Sequence, residues 1–286
     1  MLSSILIVGA DGMLGRTLTR FLLAESCFEI HAFTRKPSQD LPSGIHGAHF
    51  GDCLEFSCLE EVVERARPGF IVNCVGIVKQ REEAQDTVLS IEVNSLFPHR
   101  LARLCQSRNI RLIHISTDCV FCGSRGGYSA GDVCDAKDFY GRSKALGELT
   151  GVRNTITLRT SIIGRTPKSN YGLLEWFLSQ QAVVSGYSQV FFSGLTTLEL
   201  SKVILLVIRN DKFDGDLFNI ASQRIDKASL LSIVSEVFDH RVDLIPTEFP
   251  KIDRSLDGSL FENKFSYIPP KWIDMLEEYK NWLTLV

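Results

Sequence analysis

The sequence predicts an α/β protein with a doubly wound parallel sheet and a smaller C-terminal lobe, and three observations predict it. Short β-rich runs alternate with segments of helical period as far as Gly164. A glycine-rich turn joins the first run to the first helical segment. Beyond Gly164 the regularity loosens into Arg165-Thr-Pro-Lys-Ser-Asn-Tyr-Gly172, a composition that takes a chain out of a sheet.

Six strands follow from apolar and β-branched runs: Ile5–Val8, Glu29–Phe33, Ala48–Phe50, Phe70–Asn73, Arg111–Ser116 and Thr155–Thr160. Between them, apolar residues at helical spacing predict helices over Met13–Ala24, Phe56–Arg65, Val88–Gln106 and Tyr140–Leu149. A helix near Leu173–Gln180 and an irregular Gly186–Gly194 come next. Thr196 is placed to cap a helical stretch at Leu198–Arg209, and Asp216–Ile220 is strand-like. Helices near Lys227–Phe238 and Lys271–Leu283 complete the chain. The expected division is a dinucleotide-binding domain over 1–164, with 196–222 returning to it, and a substrate-binding lobe from 165–195 and 223–286.

Composition bounds the function. The chain has 286 residues, 44% hydrophobic, with 31 Lys+Arg against 34 Asp+Glu and a net charge of −3. Such a balance offers no basic field for a phosphate backbone, so nucleic acid is not expected as a main partner. Apolar stretches such as Val203–Ile208 fall far short of the roughly 20 residues that span a bilayer, and no membrane association is expected. Met1-Leu-Ser-Ser runs straight into Ile5–Val8 with no basic n-region, which reads as a strand rather than a signal peptide. Eight scattered cysteines then read as reduced thiols of a cytoplasmic protein. Cys119 and Cys122 form a C-x-x-C without a second pair or spaced histidines, so no metal site is expected.

Gly9-Ala-Asp11-Gly12-Met13-Leu14-Gly15 closes the first strand and opens the first helix. Glycines there permit a tight turn and close backbone approach, while the helix N-terminus presents free N–H groups to a pyrophosphate. The second strand ends in Arg35-Lys36, where a carboxylate would bind a ribose 2′-OH. Two cations suit a 2′-phosphate instead, so NADPH is expected over NADH. Asp52, just after the third strand, suits either the adenine amino group or the cap of the next helix.

Tyr140-Gly-Arg-Ser-Lys144 puts a phenol and an ammonium one turn apart on one helix face. The cation lowers the phenol pKa, so Tyr140 can exchange a proton with a carbonyl or alcohol oxygen. Thr117, at the end of the fifth strand, offers a hydroxyl to the same oxygen. Thr117, Tyr140 and Lys144 match the Ser/Thr-Tyr-Lys set of the short-chain dehydrogenase/reductase superfamily, extended type.

Within that superfamily the sequence resembles the dTDP-4-dehydrorhamnose reductase branch. The resemblance rests on the glycine loop, Asn73-Cys74-Val75-Gly76, Val93-Asn94, Ser116-Thr-Asp118 with Val120-Phe121, Tyr140–Lys144 with Gly147-Glu148, and Leu158-Arg-Thr-Ser161. It covers 1–164 and loosens beyond. It implies a Rossmann-type fold and an NADPH-dependent reductase that delivers hydride to C4 of a nucleotide-linked 4-keto-6-deoxy sugar in surface-polysaccharide precursor synthesis. Tyr140 would protonate the oxygen, Lys144 would tune Tyr140 and bind the ribose, and Thr117 would orient the ketone. Asn73, Cys74, Val75, Gly76 and Asn94 would line the cofactor groove. A homodimer is expected because dimers are common among such proteins. The shared motif leaves two alternatives open, a 4-epimerase with tightly held NAD(P) and a non-catalytic regulatory subunit.

Related dehydratases follow the hydroxyl residue with Asp-Glu, whereas here Asp118 is followed by Cys119, which disfavours water elimination. The branch's usual aromatic at Cys119 and Asp at Cys122 are also replaced. In the lobe, Arg165, Lys168 and Arg254 are candidates for the substrate diphosphate, since such a group needs cations. Asp118 is a candidate for the sugar and Trp176 for stacking on the base, with core packing an equal alternative for the tryptophan.

Overall fold

The computed structural model describes residues 3–79, 82–166 and 172–285. In chain order the strands are β1 (Ser3–Val8), β2 (Phe28–Thr34), β3 (Gly47–Phe50), β4 (Phe70–Asn73), β5 (Arg111–Thr117), β6 (Thr155–Thr160), β7 (Ile162–Ile163), β8 (Val184–Tyr187), β9 (Val190–Phe192), β10 (Leu195–Thr196), β11 (Asp216–Asn219), β12 (Ile225–Asp226), β13 (Leu244–Thr247) and β14 (Ile252–Asp253). The helices are α1 (Met13–Ala24), α2 (Phe56–Ala66), α3 (Thr87–Ile91), α4 (Phe97–Ser107), α5 (Phe139–Leu146), α6 (Leu173–Leu178), α7 (Thr197–Asn210), α8 (Lys227–Phe238), α9 (Ser259–Phe265) and α10 (Trp272–Leu283).

Two compact units result: Met1–Ser116, Asp138–Leu158 and Ser201–Leu217 form the first, and Thr117–Lys137, Arg159–Leu200 and Phe218–Val286 the second. Thus 117–137, grouped with the dinucleotide-binding domain on sequence, belongs to the second unit. Its pairing explains why: Tyr128 bridges Leu256, and the Asn219 amide donates to the Tyr128 carbonyl at 2.7 Å.

The central sheet has the order β11-β6-β5-β4-β1-β2-β3, and β3–β2, β2–β1, β1–β4 and β4–β5 pair in parallel. Strand order therefore reverses at β1 and β4, the switch point outside which open α/β sheets bind ligands. β1 is buried from Ser4 to Val8 because helices cover both faces of a parallel sheet. The core of this unit gathers Leu6, Val8, Ile71 and Leu112 of the sheet with Leu59 and Val63 of α2 and Phe97 and Leu101 of α4.

One expected helix, Val88–Gln106, is broken into α3, a π turn over Glu92–Leu96, and α4. Pro98 stands in the first turn of α4, where its missing N–H is harmless. Its ring cannot tolerate a regular helical carbonyl four residues back, at Asn94, and the wide turn accommodates it. The Asn94 carbonyl then meets Gly147, where an added Cβ would stand only 1.9 Å away.

In the second unit β8 pairs with β13, and β9 lies between β12 and β14. The expected irregular Gly186–Gly194 is therefore partly strand. Its partners lie some 35 to 60 residues along the chain, beyond the reach of local periodicity. Its core includes Leu230, Leu231 and Val234 of α8 and Met275 and Leu276 of α10, together with the aromatic cluster Phe218, Phe261 and Phe265. α9 has no counterpart in the expected elements.

Candidate active site

At the switch point the glycine loop follows β1 and the loop Cys74–Ile77 follows β4. The Gly9 and Ala10 N–H groups both donate to the Phe33 carbonyl, at 2.9 and 3.2 Å, which ties the turn to the end of β2. Gly9 has φ +84°, and a Cβ there would come within 3.2 Å of the Cys74 backbone and 3.0 Å of the Val75 side chain. Only glycine combines that conformation with that approach. Gly15 serves packing instead, since a Cβ would stand 2.2 Å from the Gly9 carbonyl oxygen. Gly12 caps α1 without a side chain, leaving its first-turn N–H groups open.

The two loops border a groove of about 200 Å³. Of the residues expected to hold a cofactor, Gly9, Asp11, Gly12, Arg35, Asp52, Cys74, Val75 and Gly76 line it. Phe33, Thr34, Gly51, Cys53, Leu54 and Ile77 also line it, although sequence reasoning did not single them out. Leu14 turns into the core, Met13 opens α1, and Lys36 is exposed with its carbonyl accepting from the Thr34 hydroxyl at 2.8 Å. Asp52 borders the groove, but it does not cap α2: its Oδ1 accepts the Leu54 N–H at 2.9 Å in the turn before the helix, whose N-cap is Glu55 without a side-chain bond. A larger hollow of about 490 Å³ lies at the starts of β5 and β6, but its Arg111 is already paired with Asp211. The glycine cradle, the open helix N-terminus and the exposed Arg35 at the rim fit a dinucleotide with a 2′-phosphate.

Asn94 acts on the groove from behind. Its Oδ1 accepts the Ile77 N–H at 2.9 Å and its Nδ2 donates to the Ile77 carbonyl at 3.1 Å, which fixes the loop after β4. Nδ2 also reaches the Ser143 hydroxyl at 3.1 Å, joining that loop to α5. Asn73 is fully buried and bonds the Val75 N–H and His114.

Asp138 caps α5 by accepting the Gly141 N–H at 2.8 Å, so Tyr140 and Lys144 follow in helical geometry one turn apart. Lys144 is buried, and its Nζ donates to the Ile115 carbonyl at 2.9 Å. The same Nζ would stand 3.9 Å from a Cβ on Gly76, so the ammonium borders the groove. Burial lowers its pKa to about 8 against the opposing pull of Glu148. At pH 7 it remains a cation, the state that depresses a neighbouring phenol.

In the second unit, Thr117 ends β5 and its Oγ1 accepts the Cys119 N–H at 3.1 Å, capping the turn Asp118–Val120. Its hydroxyl donates to Asp118 Oδ1 at 3.2 Å. Asp118 is buried, and burial raises its carboxyl pKa despite the charges of Arg254 and Lys227. Burial likewise pushes the Cys119 thiol up to about 12, so it is no thiolate nucleophile at neutral pH. Cys122 Sγ donates to Asp135 Oδ2 at 2.9 Å. Arg165 is paired with Glu175, Trp176 lies half-exposed on α6, and Lys168 falls outside the described residues. Among the described residues no three His, Cys, Asp or Glu side chains converge on a metal-sized site, and no helix is long and apolar enough to cross a membrane.

The strand order, the glycine cradle at its switch point and the Tyr140–Lys144 pair on one helix face define a dinucleotide-binding protein of the extended short-chain dehydrogenase/reductase class. Residues 3–176 match the family described as the RmlD substrate binding domain, and the chain belongs to that family. It is 35% identical over 144 residues to a dTDP-4-keto-6-deoxy-D-glucose reductase of Streptomyces niveus, a match covering 50% of this chain and 45% of that protein. It is 28% identical over 172 residues to a dTDP-4-dehydrorhamnose reductase of Aggregatibacter actinomycetemcomitans, covering 56% and 51%. The chain spans about half the length of the curated relatives it matches. Its fold is that of the dTDP-4-dehydrorhamnose reductase of Bacillus anthracis solved in complex with NADP, with a TM-score of 0.84, 19% identity and coverage of 99% of this chain and 100% of that one.

Proposed function

We propose that the protein is an NADPH-dependent reductase of a nucleotide-linked 4-keto-6-deoxy sugar, acting in surface-polysaccharide precursor synthesis. The observation that carries this reading is the juxtaposition, within one unit, of the glycine cradle and the buried Lys144 ammonium that borders the same groove. The relatives named above, reductases of dTDP-linked keto sugars, support the substrate class. In this reading the first unit holds the cofactor and the second recognises the sugar nucleotide as part of a homodimer.

Bound NADPH supplies the hydride. The open N–H groups at the start of α1 hold its pyrophosphate, Arg35 and Lys36 take the 2′-phosphate, and Asp52 accepts from the adenine amino group. Lys144 bonds the ribose and, as a cation, lowers the phenol pKa of Tyr140 so that its proton passes to the developing alkoxide. Thr117 turns its hydroxyl from Asp118 to the ketone oxygen. Asp118 and Cys119 lack the second carboxyl that water elimination needs, which favours simple reduction.

The test follows NADPH absorbance while the protein is offered dTDP-, UDP- and GDP-linked 4-keto-6-deoxy sugars. Oxidation is expected with one of them, and Tyr140→Phe should lower turnover by about two or more orders of magnitude with NADPH affinity nearly unchanged. Undiminished turnover in that variant removes Tyr140 from the mechanism. Inversion of a sugar centre without net NADPH consumption would point to a 4-epimerase instead.

A further inference from the structure

β3 is the outer strand of the central sheet and carries His49, while its neighbour β2 carries His31. The parallel register sets His31 opposite Gly47 and Phe33 opposite His49, so the two histidines stand diagonally on one face of the sheet. Gly47 omits the side chain that would hold them apart: a Cβ there would stand 2.5 Å from His31 Nδ1 and 2.7 Å from His49 Nε2. Those two nitrogens meet at 3.2 Å, with ring centres 5.4 Å apart and ring planes inclined by 20°.

Both rings are half-buried, and burial is the main cause that holds each below the ordinary histidine pKa. His46 adds to the effect on His31, and His31 and Arg65 add to it on His49, while Glu29 pulls His31 the other way. Two of these neighbours are already engaged, since His46 Nδ1 accepts the Ile30 N–H at 3.1 Å and Arg65 donates to Glu61 at 3.0 Å. The facing pair is therefore neutral at pH 7, one nitrogen donating its N–H to the other. Neutral imidazole is also the form that ligates a divalent transition metal. A tetrahedral ion about 2.0–2.1 Å from each of two nitrogens sets them roughly 3.3–3.4 Å apart, so the spacing is nearly met and only the rings need turn. The bridging proton then moves to the far nitrogen of its own ring, Nε2 of His31 or Nδ1 of His49, and the pair releases no net proton.

We propose that His31 and His49 form a two-histidine site for a divalent transition metal of the Zn²⁺ or Ni²⁺ kind, with water in the remaining positions. Imidazole nitrogen selects such an ion over Mg²⁺ or Ca²⁺, which take oxygen. Glu29, two residues before His31 on the same face of β2, adds a negative charge that favours a cation. The ion's role is structural: it ties β3, which has one neighbouring strand, to β2 through side chains as well as backbone. It does so a few residues before the two strands deliver Arg35 and Asp52 to the groove. The proposal is independent of the sugar-nucleotide reading.

The experiment is calorimetric titration of the full chain, without a histidine tag, with NiCl₂ and with ZnCl₂ at pH 7. Wild type should bind Ni²⁺ saturably. His31→Gln and His49→Gln should each weaken binding at least about 10-fold, the least that loss of even an outer-shell partner ordinarily costs. Cys58→Ser, which removes a thiol beside the end of β3, should stay within a few-fold of wild type. Binding should also disappear as pH falls from 7 to 5 and the imidazoles take protons. In wild type, paramagnetic Ni²⁺ should broaden the ring-proton NMR signals of His31 and His49 before those of the other histidines, a reading that needs no variant to fold. No saturable binding of either metal, binding that neither histidine variant weakens, or broadening spread evenly over the histidines overturns the site and leaves the pair as a hydrogen bond.

Discussion

Replacing Lys144 by methionine should stabilise the protein while disabling it. The side chain is 5% exposed, and burial brings its pKa from an ordinary 10.5 to about 8. That fall corresponds to a cost of about 3 kcal/mol for keeping the ammonium charged at pH 7. Methionine retains the apolar stem but forfeits the charged bond from Nζ to the Ile115 carbonyl, worth about 2 kcal/mol, so a net gain of about 1 kcal/mol is expected. The sign with pH is fixed. The lysine carries its full cost below pH 8, where it is protonated in both the folded and the unfolded chain. The cost fades as pH rises from about 8 towards 10.5, the interval in which the unfolded chain binds the extra proton. Urea unfolding should therefore show the variant more stable by about 1 kcal/mol at pH 7 and no more stable than wild type at pH 9.5. NADPH oxidation should fall at least about 100-fold. A variant less stable than wild type at pH 7, or a gain that does not change with pH, refutes the reasoning.

Under the proposed reading, Arg35→Ala should weaken NADPH much more than NADH, because the guanidinium lines the groove where the 2′-phosphate would sit. Equal weakening of the two in a binding titration contradicts that assignment. Gly147→Ala should cost about 2 kcal/mol or more, since its Cβ would stand 1.9 Å from the Asn94 carbonyl oxygen and one of the two backbones must move. A thermal melt within a degree of wild type would show that the contact is soft.

What could be read from the sequence was what local pattern encodes. The strands up to β6, the glycine loop and the Tyr140–Lys144 spacing were legible because each depends on neighbours within a few residues. Pro98 was a visible signal for the break between α3 and α4, but its effect depends on the carbonyl of Asn94 four residues earlier. β8 and β9 escaped because their partners, β13 and β14, lie far along the chain and the runs are only four and three residues long. His31 and His49 look isolated in the sequence, 18 residues apart. Only the register of β2 on β3, with Gly47 opposite His31, brings their rings together. Arg165 could not be discounted on sequence, since only the fold brings Glu175 to it.

The central claim is that hydride passes from NADPH to C4 of a nucleotide-linked sugar. Incubating the protein with NADPH carrying deuterium at nicotinamide C4, together with the keto sugar that supports oxidation, and locating the label by NMR tests this most directly. The account predicts one deuterium at C4 of the product sugar for each NADPH consumed, from one face of the nicotinamide only. Label retained in the cofactor while the sugar is altered, or deuterium at any other sugar carbon, would contradict it.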